Sequence, residues 1–236
     1  MKKLLILLLS IGMMGGIQAQ TADKKADKII EQYLKAIGGK KKLNEINEML
    51  QKSTMSMNGQ EIETEVLKSK KDRGYMKMKV QGMEMLVYAY QGDKGFSMNQ
   101  QMGYDDLDST ALAKMKQNSR SFFFNLENYK QYNRKYLGIK EKDGKKYEAV
   151  EIEVDGQKSI MYFDPKTHLL KIIEVTNPDN GMVIETYLED YKDFDGVKFP
   201  TRFEVKANGQ LAQTIITKEI ILNPTNVEES NFQKPE

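Results

Sequence analysis

Apolar residues first fall into a regular spacing at Ile29. Ile29, Ile30, Tyr33, Leu34 and Ile37 recur at three and four residues and make one face of a helix. Asp23 stands where an N-cap belongs, and Gly38-Gly39 is a stop signal. Leu43, Ile46, Met49 and Leu50 predict a second, shorter amphipathic helix. Beyond it the period drops to two. Val150, Ile152 and Val154 alternate with Glu151 and Glu153, as on a strand with one buried face. Turn pairs separate the strand-like runs: Asn58-Gly59, Gln81-Gly82, Asp143-Gly144, Asp155-Gly156, Asp195-Gly196 and Asn208-Gly209. Such pairs supply the positive φ of tight hairpins. Links of this length join neighbours antiparallel, and the pattern predicts about eleven or twelve strands. The fold class expected is α+β, mainly antiparallel β, with helices at the N-terminus.

One stretch interrupts the strands. Over residues 105–118 the pattern is helical, with Leu107, Ala111, Leu112 and Met115 on one face and Asp108 or Ser109 as the cap. Phe122, Phe123 and Phe124 follow. A helix inserted between strands must lie on a sheet face or across a barrel mouth. Leu107, Leu112, Met115 and the three phenylalanines are therefore expected to form a lid.

The start of the chain reads as an address. Lys2 and Lys3 precede the apolar run Leu4–Leu9 and Ile11–Met14, and small residues follow at Gly15, Gly16 and Ala19. This is the layout of a secretory signal peptide over residues 1–19, cleaved after Ala19. Residues 20–236 contain no linker and no break in composition, so they are read as one domain. No later apolar run reaches the roughly 18 residues of a spanning helix, so no transmembrane anchor is expected. The expected location is the periplasm.

Charge narrows the chemistry. The chain has 36 Lys+Arg against 34 Asp+Glu; without Lys2 and Lys3 the two are equal. A nucleic-acid binder carries a strong basic excess, which is lacking here. There is no Cys and only one His. Disulfides, thiolate nucleophiles and sulfur-based zinc sites are thereby excluded, and so are His-pair metal motifs. No Gly-x-Ser-x-Gly elbow, phosphate loop or complete calcium loop occurs. His168 lies in a Pro-containing turn with no Ser beside it. Asp193-Phe194-Asp195-Gly196 lacks the distal Glu of a calcium loop and reads as a turn. No enzyme activity, cofactor or metal is expected.

Methionine is the unusual component. Of 15 methionines, nine fall between Met49 and Met102. They come as alternating pairs: Met55 and Met57, Met76 and Met78, Met83 and Met85. Val80 extends the second pair and Val87 the third. A period of two puts each set on one strand face. Thioether chains are flexible and polarisable and suit apolar partners of varied shape. These eight residues are the candidate lining of an apolar cavity, although methionines can equally fill an irregular core. Two other readings stay open: Met-x-Met pairs offering thioethers to Cu(I), or a cell-envelope scaffold with no ligand.

Three segments carry a resemblance. Residues 26–39, from Ala26 to Gly39, followed by Lys42-Leu43, are similar to the opening of exported proteins of the outer-membrane lipoprotein-sorting (lipoprotein carrier) family. Tyr162-Phe163-Asp164-Pro165-Lys166-Thr167-His168-Leu169-Leu170 resembles the family's central hairpin. Residues 191–200, from Tyr191 to Pro200, resemble its late strand pair. The resemblance implies a half-open β-barrel with helices lidding its concave side. It also implies a carrier that shields acyl chains of a lipid or lipoprotein between transient envelope partners, in outer-membrane biogenesis. The family's functional arginine has no clear counterpart here. Burying one chain gains roughly 0.8 kcal/mol per CH₂, on the order of 10 kcal/mol for a C16 tail before ordering costs, and requires no catalytic group.

Overall fold

The computed structural model describes residues 23–57, 59–99, 101, 103–119, 126, 128–154, 157–177 and 180–235. Residues 1–19, Asp155-Gly156 and Phe122–Phe124 lie outside these.

Helix α1 (Lys24–Ala36) starts at Asp23, whose Oδ1 accepts from the amides of Lys25 and Ala26 at 2.8 and 3.2 Å. The other carboxylate oxygen accepts from Tyr136 N at 2.8 Å, so one side chain caps the helix and fixes it to the sheet. Ile29, Ile30, Tyr33, Leu34 and Ile37 are all buried, as their spacing predicts. At Gly38, φ is +134° and a β-carbon would stand 2.7 Å from the Gly196 carbonyl, so only glycine lets the chain pass this close. Helix α2 (Lys40–Glu45) is shorter than its pattern implied. Met49 and Leu50 belong to the strand that follows and are buried on its opposite faces, which imitates helical spacing in the sequence.

The strands are β1 (Glu48–Met57), β2 (Gln60–Ser69), β3 (Arg73–Val80), β4 (Met83–Gln91), β5 (Lys94–Met98) and β6 (Tyr104–Asp106). After helix α3 (Ser109–Ser119) come β7 (Asn133–Lys142), β8 (Lys145–Val154), β9 (Gln157–Phe163) and β10 (Leu170–Thr176). The last three are β11 (Val183–Phe194), β12 (Val197–Ala207) and β13 (Gln210–Leu222). All 13 form a single antiparallel sheet in the order β6-β5-β4-β3-β2-β1-β13-β12-β11-β10-β9-β8-β7. The first strand pairs with the last, and β6 and β7 remain as edges, so the sheet is a half-open barrel. Thirteen strands are present where eleven or twelve were expected. The extra count includes β6, which takes the first residues of the segment predicted as helix.

Helix α1 packs on one face of this sheet, here the inner face. Its apolar residues form a buried cluster with Met49, Val150, Ile152, Met161, Phe163, Leu188, Val197 and Phe199. Asp27 and Arg134 pair at the cluster's edge, with Arg134 only 5% exposed. The outer face carries two smaller clusters. Leu50, Leu67, Tyr75, Ala89 and Phe96 are covered by Val227 and Phe232 of the C-terminal segment. Tyr147, Ala149, Tyr162 and Ile172 form the other. Beside it Glu174 stands opposite Glu185, and Lys142 bridges the two carboxylates at 2.6 and 2.5 Å, which offsets a like-charge cross-strand pair.

Candidate ligand-binding face

Strand register decides which side chains meet. Met49 belongs to the inner cluster, and β1 pairs with β2 without interruption from Glu48 to Met57. Alternation therefore carries Gln51, Ser53, Met55 and Met57 onto the inner face. Directly paired residues of antiparallel strands share a face. Met55 is opposite Ile62 and Ile215, Val66 is opposite Met76, and Thr64 is opposite Met78. Met78 in turn faces Met85, and Val80 faces Met83. Seven of the eight candidate residues thus stand on one continuous inner surface. Val87 is different. A bulge after Met76 makes Tyr88, not Val87, the residue opposite Met76. Tyr88 takes the inner-face position that simple alternation gave to Val87.

None of the eight enters a buried cluster. Met57 and Met83, at the hairpin tips, are 40% and 65% exposed. Met55, Met76, Met78, Val80, Met85 and Val87 are half-buried. The α1 cluster covers the inner face over β7 to β13 and reaches β1 at Met49, and it stops short of these methionines.

The other flank is set by α3. Asp108 caps it: its carboxylate accepts from Ala111 N and its carbonyl from Leu112 N, both at 2.8 Å. The helix thus begins later than its sequence pattern, at Ser109. Leu112 is buried and rests on Gly95, which is paired with Tyr90 and through it with Gly74 on the inner alternation. Leu107 N donates to Gly95 O at 2.9 Å, and Lys116 binds Asp72 at 2.9 Å. Leu107 and Met115 are half-buried. Leu126, the next described residue, already sits in the α1 cluster. An apolar strip on β13, β1, β2 and β3 lies between the two helices.

A small polar network interrupts the strip. Gln51 Nε2 donates to Thr217 Oγ1 at 2.8 Å and to Ser53 Oγ at 3.3 Å, and Lys68 Nζ donates to Gln51 Oε1 at 3.0 Å. A cleft of about 320 Å³ is lined by charged residues of the outer alternation, among them Lys52, Glu65, Lys77, Glu84 and Glu219, and is also bordered by Ser53, Thr64 and Met78. Its charges pair across strands, Lys52 with Glu219 at 2.9 Å and Lys77 with Glu84 at 3.3 Å. The charged part of this lining suits solvent and not an apolar chain. His168 is half-buried in its turn with φ +58°. Among the described residues no group of three His, Asp or Glu could hold a metal ion, and no helix is long and apolar enough to cross a membrane.

This architecture has been solved in other proteins. A domain named for outer membrane lipoprotein sorting, from Vibrio parahaemolyticus, matches with a TM-score of 0.57 at 13% identity, covering 89% of this chain and 97% of that one. A LolA superfamily protein of Nitrosomonas europaea matches at 0.59 and 11%, covering 89% and 97%. The chain shares its fold with these two proteins. A DUF1329 family protein of Desulfovibrio piger shares it, at a TM-score of 0.58 and 10% identity over 88% of this chain and 99% of that one. At these identities the likeness establishes the fold alone. No family model and no curated protein matches the sequence.

Proposed function

We propose that this protein is a periplasmic, non-enzymatic carrier that shields the acyl chain of a lipid or lipoprotein on its methionine-lined inner face. In this reading residues 1–19 are a cleaved signal peptide, residues 20–236 are one carrier domain, and exchange takes place with transient envelope partners. The observation that carries it is the half-exposed strip of Met55, Met76, Met78 and Met85 between α1 and α3, outside every buried cluster. Proteins rarely leave a contiguous apolar surface uncovered unless something binds there. The fold shared with a domain named for lipoprotein sorting supports the same reading. α3 serves as the movable wall: the anchors seen among the described residues are the Leu112 contact with Gly95, the Leu107 amide hydrogen bond and the Lys116–Asp72 ion pair.

Two charged substitutions test it. Met78→Lys and Met85→Lys should abolish binding of a fluorescent fatty acid while circular dichroism stays close to wild type, since a half-exposed position can hydrate an ammonium. Unfolding of both variants, with no acyl binding by the wild type, would leave the scaffold reading in its place.

A further inference from the structure

Lys68 is the odd residue of the inner face. It is paired with Met49, which lies in the α1 cluster, so its side chain follows the inner alternation. Lysines of the outer face near it have acids: Lys52 binds Glu219 at 2.9 Å and Lys71 binds Glu48 at 3.4 Å. Lys68 Nζ has the neutral Gln51 Oε1 at 3.0 Å. Among the described residues no carboxylate offsets its charge. The residue keeps a fraction of its surface exposed, yet its ammonium is desolvated enough for burial to lower its pKa to about 8. An uncompensated ammonium on an apolar wall opposes folding. A methionine there would serve the sheet better.

The apolar track begins beside this ammonium. The next inner positions of β2 are Val66 against Met76, Thr64 against Met78, and Ile62 against Met55. From Lys68 to Gln60 the strand runs about 27 Å at 3.4 Å per residue, long enough to lay out a fatty acyl chain. Resting on the carrier reading above, we propose that Lys68 binds the anionic head, a carboxylate or a phosphate monoester, of an amphiphile whose chain lies along the methionines. Gln51, held by Thr217 and Ser53, orients the ammonium toward the strip. The cargo class is then a singly headed anionic lipid, in preference to a neutral ester.

The test uses the protein purified from the periplasm and displacement of the neutral dye Nile red. The competitors are hexadecanoate, hexadecyl phosphate, methyl hexadecanoate, acetate and inorganic phosphate. Both anionic chains should displace the dye at concentrations at least tenfold lower than the ester, and the tighter of the two identifies the head. Acetate and inorganic phosphate should not compete. Lys68→Met should bring the anions to the level of the ester, leave the ester unchanged and not lower the melting temperature; Lys68→Arg should keep the preference. Equal binding of acid and ester by the wild type overturns the role of Lys68 while leaving the carrier reading. Binding of no chain at all removes the carrier reading and this one with it. Competition by free phosphate as strong as by hexadecyl phosphate overturns the proposal in favour of a plain anion site. A Lys68→Met protein that melts lower and loses all chains equally shows a structural lysine, which also overturns it.

Discussion

Leu112 sits so close over Gly95 that a β-carbon added at Gly95 would lie 2.8 Å from its Cδ1. Tyr90 Cβ and the Ala89 carbonyl would stand at 3.0 and 3.2 Å, so the alanine cannot be relieved by a rotation of the leucine alone. Gly95→Ala should lift α3 from the sheet at a cost of about 1–3 kcal/mol, the usual range for overpacking. Hydrogen exchange checks this. Amides of residues 109–116 should exchange faster in the variant while those of β12 keep their wild-type rates. Unchanged exchange in α3 would mean that the helix is not held by this contact.

Glu48 is 2% exposed and receives two hydrogen bonds from Arg73, at 2.6 and 2.9 Å. Arg73, opposed by burial and helped by Ser69 and Lys71, holds the carboxyl below its ordinary value. Its folded value thus lies below the unfolded one of about 4.3. The stability it contributes is present above about pH 4.3 and is lost as pH falls through the folded value. Glu48→Gln should cost about 3 kcal/mol at pH 7, as a broken buried pair does. It should also flatten the loss of stability between pH 5.5 and 3. Urea midpoints at the two pH values measure this. A slope equal to wild type would remove Glu48 from the acid response.

His168 has φ +58°, a conformation that glycine adopts without strain. His168→Gly should therefore lie within about 0.5 kcal/mol of wild type and bind acyl chains equally well. Loss of binding in that variant would reveal chemistry at this turn.

Most of the sheet was legible in its turns. Gln81, Asp143, Asp195 and Asn208 have φ of 51, 51, 53 and 48°, and the glycine after each is also positive, as two-residue hairpins demand. The α1 face was legible because five apolar residues at helical spacing leave no other arrangement. Faces were harder to read where apolar residues adjoin. Val66-Leu67 and Tyr75-Met76 place one residue on each side of the sheet, so a period of two could not say which side was inner. The outer cluster under Phe232 was hidden for that reason. Lys68 had a usable signal: with Asn58-Gly59 read from the sequence as a two-residue turn, Met57 falls against Gln60, and steps of two from Gln60 reach Lys68 on the methionine face. The bulge that exchanges Val87 for Tyr88 has no mark in the alternation.

The most direct test of the carrier reading watches the methionines themselves. With ¹³C-methyl-labelled methionine, the ε-methyl signals are assigned by single Met→Leu replacements and followed during titration with hexadecanoate. Met55, Met76, Met78 and Met85 should shift together and saturate, while Met49 and Met161, buried beneath α1, should stay in place. A titration that leaves those four unmoved, or moves Met161 first, would contradict an acyl-binding inner face.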